Sequence, residues 1–226
     1  MPKAIKKRIF RKTQKDGDLG EAVSDIRKKL RDQQRNLVYA LIAFGLIIIT
    51  VSAFFIYNRV NAGKAADLEY DAYKILAGSY PAQYSSPADR YKDALAKFNA
   101  SYSAKKSPSV LLYVANCNYA LGNLDETIKT LKKVIEQYPD PKISSLAYYK
   151  MAMTYIRKGD LNTAINTFDI MANTKDALLQ DLALMESGKT LESMGRSEEA
   201  KKKYNELIAK FPKSQMVSEA KSRLGT

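Results

Sequence analysis

Three stretches in the second half of the chain decide its fold: YALGNLDETIKTLKKVIEQYP (119–139), TYIRKGDLNTAINTFDIM (154–171) and LESMGRSEEAKKKYNELIAKFP (191–212). Set in register on Gly122, Gly159 and Gly195, which lie 37 and 36 residues apart, they carry the same residue classes at the same offsets. Small residues stand seven positions before each glycine (Ala115, Ala152, Gly188) and five after it (Thr127, Ala164, Ala200). Larger apolar residues stand nine after it (Leu131, Phe168, Tyr204) and twelve after it (Val134, Met171, Leu207). Pro139 and Pro212 follow the outer two copies, with Asp176 at that place in the middle one. The pattern predicts helical hairpins. Small side chains let the two helices of a hairpin approach, the larger ones fill the space between hairpins, glycine takes a turn at positive φ, and proline closes the second helix.

This register resembles the tetratricopeptide repeat, a helix-turn-helix unit of about 34 residues, with slightly longer connections here. Full repeats are predicted at about 108–139, 145–176 and 181–212. Upstream, Tyr91, Ala94, Leu95, Phe98 and Tyr102 keep helical spacing behind Pro87, and Ala65, Leu68, Ala72, Ile75 and Leu76 mark another stripe, together a degenerate repeat at about 61–102. Downstream, Ser214 is placed to cap a terminal helix at about 214–224 that carries Val217, Ala220 and Leu224 on one face. The fold expected is all-α: a single N-terminal transmembrane helix followed by a tetratricopeptide-repeat α-solenoid over 58–226.

The transmembrane reading comes from LVYALIAFGLIIITVSAFFIY (37–57), which contains no charged residue. At about 1.5 Å per residue it makes a helix of roughly 31 Å, the thickness of a bilayer's hydrocarbon core. It is longer than the apolar core of a cleavable signal and has no polar face, so a permanent anchor is expected rather than a signal or a buried core helix. Arg27, Lys28, Lys29, Arg31 and Arg35 stand in the ten residues before it, against Arg59 and Lys64 in the ten after. That bias predicts a cytoplasmic N-terminus and a translocated C-terminal domain, which in a bacterium is periplasmic at the inner membrane. Within 1–36, Gly17 and Gly20 are expected to interrupt structure, the first 15 residues or so to be mobile, and 22–35 to form a basic amphipathic helix.

The net charge of +13 divides unevenly. Residues 1–36, the basic cytoplasmic tail, hold twelve Lys and Arg against five Asp and Glu. A segment such as KKRIFRK (6–12) is suited to anionic lipid heads; with no nucleic-acid-binding fold beside it, the charge does not imply nucleic acid as a partner. The absence of histidine and the single Cys117 exclude His–Cys zinc sites, Ser-His-Asp triads, Cys-His dyads and an intramolecular disulfide. ALMESGKT (183–190) fits a loose phosphate-loop pattern, but it lies inside a predicted helix, with no strand before it and no free amides to wrap a phosphate. Acidic pairs such as Asp125-Glu126 and Glu198-Glu199 follow the turns, where they suit helix N-termini. No catalytic residues, cofactor or metal are expected.

A stack of such hairpins has a concave face lined by the first helix of each repeat. By register its candidates are Leu112, Asn116 and Tyr119; Tyr149, Met153, Ile156 and Arg157; and Met185, Lys189 and Glu192. The mixture is apolar and aromatic with few charges, suited to an extended or helical apolar protein segment, unless a terminal helix covers part of it. Repeats that hold acidic heat-shock-protein termini use a clamp of several Lys, Arg and Asn residues. Here only Asn116 and Lys150 fall in comparable places, while Leu112, Leu182 and Glu186 do not, so that clamp is not expected.

The layout of basic tail, one anchor, helical lead and few repeats resembles the ancillary subunits of the bacterial Sec translocon (SecYEG), most closely over GDLNTAINTFDIMANTKDALLQDLALMESGKTLESMGRSEEA (159–200). That resemblance implies periplasmic repeats working near the translocation channel beside periplasmic chaperones. The ending KKYNELIAKFPKSQMVSEAKSRLG (202–225) also resembles the terminal repeats of envelope proteins that coordinate cell division or outer-membrane assembly.

Overall fold

The computed structural model describes residues 15–79 and 83–225. Among them are helices and no strands: α1 (Lys15–Leu76), α2 (Pro87–Ala104), α3 (Pro108–Ala120), α4 (Leu124–Gln137), α5 (Pro141–Lys158), α6 (Leu161–Asn173), α7 (Gln180–Ser193), α8 (Ser197–Lys210) and α9 (Val217–Leu224). The chain divides between Arg59 and Val60 into two compact units.

In the first unit, the helix is long and apolar enough to cross a membrane by length and composition, and none of its apolar stretch is buried in protein. Leu37, Phe44, Ile49 and Phe55 are each more than half exposed. Contrary to the sequence reading, Gly17 and Gly20 do not break α1, which begins at Lys15 and runs through both. A glycine inside a helix costs only about 1 kcal/mol against alanine, too little to stop a long helix. The mobility expected of the first 15 residues concerns positions that, apart from Lys15, lie outside the described ones.

The second unit is the helical stack, an all-α solenoid. Consecutive helices from α2 to α9 pack on one another, and α3 also touches α5. Prolines open α2, α3 and α5 at the first turn, where the missing N–H is no loss. Asp140 caps α5: its Oδ1 accepts from the amides of Lys142 (2.8 Å) and Ile143 (3.4 Å). Gly122, Gly159 and Gly195 all sit at φ between 74° and 80°, the left-handed turn that the register assigned to them. The middle connection, which lacks a proline at the repeat position, instead places Asp176 and Leu179 at positive φ. Ser145 Oγ accepts from the Leu178 amide at 2.9 Å and holds that loop.

The core consists of two clusters. One runs from Ala72 and Ile75 through Phe98, Val110, Val114 and Leu131 to Met151; the other gathers Ala152, Phe168, Met171, Leu184, Tyr204, Leu207 and Ala220. Phe168, Tyr204 and Leu131 are fully buried, and burying a side chain of the Leu or Phe class contributes about 1.5–3 kcal/mol. At the start of the stack, the rings of Tyr73, Phe98 and Tyr113 lie 4.7–5.5 Å apart, and Ser101 Oγ donates to the Ala65 carbonyl at 2.9 Å, tying α2 to the end of α1. Ser214 does not cap α9 directly. That helix starts at Val217 with Met216 as its cap, while Ser214 accepts from the Met216 amide and donates to Asp181.

Candidate functional site

The concave candidates arise from one-sided burial of the first helices. In α3, Val110, Leu111, Val114, Ala115 and Cys117 are buried, which leaves Leu112, Asn116 and Tyr119 half-buried at i, i+4 and i+7. In α5 the same spacing sets Tyr149, Met153 and Ile156 on the open side, with Arg157 exposed beside them. In α7 the same spacing lines up Met185, Lys189 and Glu192, of which only Lys189 and Glu192 are half-buried.

Four of these ten residues meet in a cavity of about 240 Å³: Asn116, Tyr119, Tyr149 and Met153, joined by Ala115, Thr127, Lys150 and Thr154. It lies where α3 and α5 face each other, with Thr127 of α4 also in its lining. Lys150 Nζ donates to Asn116 Oδ1 at 2.7 Å. Burial holds the Lys150 ammonium below its ordinary pKa. Nearby, the Arg157 guanidinium lies 4.6 Å from the centre of the Tyr119 ring and donates to the Tyr119 carbonyl. Leu112 and Ile156 pack against the cores outside the cavity.

The α7 candidates behave differently. Met185 is fully buried in the second core and offers no docking surface. Lys189 and Glu192 are engaged by α9: Lys189 Nζ lies 3.0 Å from Glu219 and 3.2 Å from Glu186, and Arg223 bridges Glu192 (2.6 Å) and Glu219 (3.1 Å). The terminal helix therefore covers the third repeat's share of the concave side, and the α3–α5 share stays open. Lys150, central to the cavity, was not among the groove candidates; it adjoins Tyr149 in sequence and stands 34 residues from Asn116, about one repeat. ALMESGKT lies within α7, and Lys189, the lysine of its phosphate-loop pattern, is taken up by Glu186 and Glu219. Among the described residues no group of His, Cys, Asp and Glu is placed to hold a metal ion.

This arrangement of helical hairpins with a side-chain cavity between first helices has a counterpart in sequence: the profile of the tetratricopeptide repeat-like domain matches residues 28–223. The chain belongs to this family. No curated protein matches it significantly. A tetratricopeptide repeat protein from Parabacteroides merdae superposes on 72% of this chain with a TM-score of 0.56 at 12% identity, and the chain spans 59% of that protein. A MamA protein gives 0.47 at 18% identity over 71% of this chain and 84% of its own. The TPR2AB domain of yeast Sti1, in complex with pHSP90, gives 0.42 at 19% identity over 71% and 70%. The first shares the fold; the other two are too distant to add to it. As a tetratricopeptide repeat-like protein, the chain carries a scaffold for protein–protein contact.

Proposed function

We propose that the protein is a non-enzymatic, membrane-anchored scaffold that binds segments of other proteins in the α3–α5 groove. The observation that carries this reading is the cavity between the first helices of two adjacent repeats, where Asn116, Tyr119, Tyr149 and Met153 converge. Apolar walls with a few polar groups are the usual make-up of a recognition pocket. The uncharged stretch 37–57 and the basic residues ahead of it support a single-pass inner-membrane anchor with the tail in the cytoplasm, against anionic lipid heads, and the repeats in the periplasm.

The layout that resembles ancillary Sec translocon subunits supports a place beside the translocation channel, with channel subunits and periplasmic chaperones as partners. Envelope assembly or the coordination of cell division is the second reading, favoured by the resemblance of 202–225. Site-specific photocrosslinking from Tyr149 or Met153 in intact membranes separates the two. Capture of channel subunits or secreted chains supports the first, and capture of cell-wall synthases or outer-membrane machinery supports the second. Crosslinks only from the convex side would discard the groove.

A further inference from the structure

The second unit begins within α1, and its charge is sorted along that helix. After the apolar stretch 37–57, Arg59 and Lys64 come first, and the acids Asp67, Glu69 and Asp71 follow. α2 returns antiparallel to this segment, with Lys97 3.8 Å from Asp71 and Ser101 bonded to the Ala65 carbonyl. The end of α2 and its connection to α3 therefore lie beside residues 62–66, where Ala62, Ala65 and Ala66 share a cavity of about 250 Å³ with Lys105, Lys106 and Ser107. Ala62 is five residues past Tyr57. Five residues span at most about 18 Å even when fully extended, so this corner stays near the end of the apolar stretch in any conformation of the intervening chain.

The lysines of this corner differ from others along the stack. Lys97, Lys129, Lys158 and Lys203 each meet a carboxylate, whereas Lys105, Lys106 and Lys133 form no ion pair among the described residues. Lys106 and Lys133 instead converge on the Tyr102 ring, their Nζ atoms 4.3 and 4.5 Å from its centre. Glu69, the carboxylate lining the cavity, accepts from Tyr73 at 2.9 Å. Lys105 and Lys106 are both exposed, so their charge is presented to a surface rather than to an enclosed ion. Resting on the membrane anchor proposed above, we infer that this corner docks on the anionic head groups of the leaflet on the repeat side of the bilayer. Lys105 and Lys106 face lipid phosphates, and Lys133 faces the same surface from α4. The contact is separate from that of the basic tail, which concerns the opposite leaflet. The acids of α1 do not oppose it: Asp67, the first, is ten residues past Tyr57, about 15 Å along a helix, beyond the screening length of about 8 Å at physiological salt.

The test places the full chain in lipid nanodiscs, either of phosphatidylcholine alone or rich in phosphatidylglycerol, and follows acetylation of each lysine by mass spectrometry. Lys201 and Lys202, exposed on α8, serve as references. The expected result is that Lys105 and Lys106 react about fivefold more slowly in the phosphatidylglycerol discs, that high salt removes the difference, and that the references do not change. Lys133 reports on the variant: Lys105→Glu combined with Lys106→Glu should abolish its protection while an unaltered melting curve verifies the fold. Equal rates in the two discs, slowing of every lysine alike, or protection of Lys133 that survives the double reversal overturns the inference and leaves the anchor in place. Protection by inorganic phosphate in phosphatidylcholine discs replaces the lipid surface with a free-phosphate site and overturns it as well. A chain that fails to copurify with either disc removes the anchor and this inference together.

Discussion

Gly188 in α7 lies flat against the ring of Tyr204 in α8: a Cβ added at Gly188 would sit 2.4 Å from Tyr204 Cε1 and 2.8 Å from Cζ. The register pairs small residues at 188 and 200, but it is the aromatic ring that demands the glycine. Tyr204 is fully buried and cannot swing out without leaving the core. Gly188→Ala is therefore expected to destabilise the stack by about 1–3 kcal/mol through overpacking, seen as a lower urea midpoint. Adding Tyr204→Leu to that variant should recover part of the loss. Gly122→Ala is a contrasting case: nothing lies within 4 Å of its added Cβ, but φ is +80°. Its cost, about 1–2 kcal/mol, is backbone strain, and no partner substitution should relieve it.

Asp140→Ala removes the side-chain acceptor for the first amides of α5. A lost cap of this kind costs about 0.5–2 kcal/mol. Because α5 carries Tyr149, Lys150 and Met153, the frayed first turn should also weaken groove binding slightly. Asp140→Ser should restore most of the stability; melting curves of the two variants make the comparison.

The contact between α7 and α9 has an acid limit. The hydrogen bond from Lys189 holds the Glu219 carboxyl below its ordinary 4.5, with Arg223 adding to the effect. Burial works against the Lys189 ammonium, yet its bonds to Glu219 and Glu186 raise it above 10.5. The carboxylate's contribution is thus whole above about pH 4.5 and disappears as pH falls through its depressed value, while the lysine's persists until strongly alkaline pH. Nitrogen relaxation of residues 217–224 should show a rigid helix at neutral pH and a mobile one once the pH has fallen through that depressed value. Rigidity retained down to global unfolding would count against the ion pairs as the clasp.

Cys117 is fully buried in α3, and burial pushes its thiol up to about 11. The reactive thiolate is then both scarce and inaccessible. A maleimide should leave the native full chain unlabelled at neutral pH and label it stoichiometrically in denaturant. Labelling in native buffer would mean that α3 opens locally.

The repeats were legible because their packing reuses the same residue classes at a fixed offset: Leu131, Phe168 and Tyr204 are all fully buried, and the three turn glycines share one conformation. Helical spacing alone accounts for the half-exposure of Asn116 and Tyr119 in α3 and of Tyr149 and Met153 in α5. It failed in α7. The pairs Glu192–Arg223 and Lys189–Glu219 join residues far apart in sequence, and charged surface positions carry no periodic signature that would announce them. Lys150 has no signature of its own for a related reason: its hydrogen bond to Asn116 joins residues 34 positions apart. The run of α1 through Gly17 and Gly20 shows a weak local preference losing to the cooperativity of a long helix.

One helix belongs to both hydrophobic clusters. α5 gives Ala147 and Met151 to the first and Ala152 to the second, with Tyr148 against each. It serves as a party wall between two rooms. Damage in α2 or α8 stays in its own room, whereas a flaw in α5 weakens both at once, and the cavity wall formed by Tyr149 and Met153 is made of that same partition.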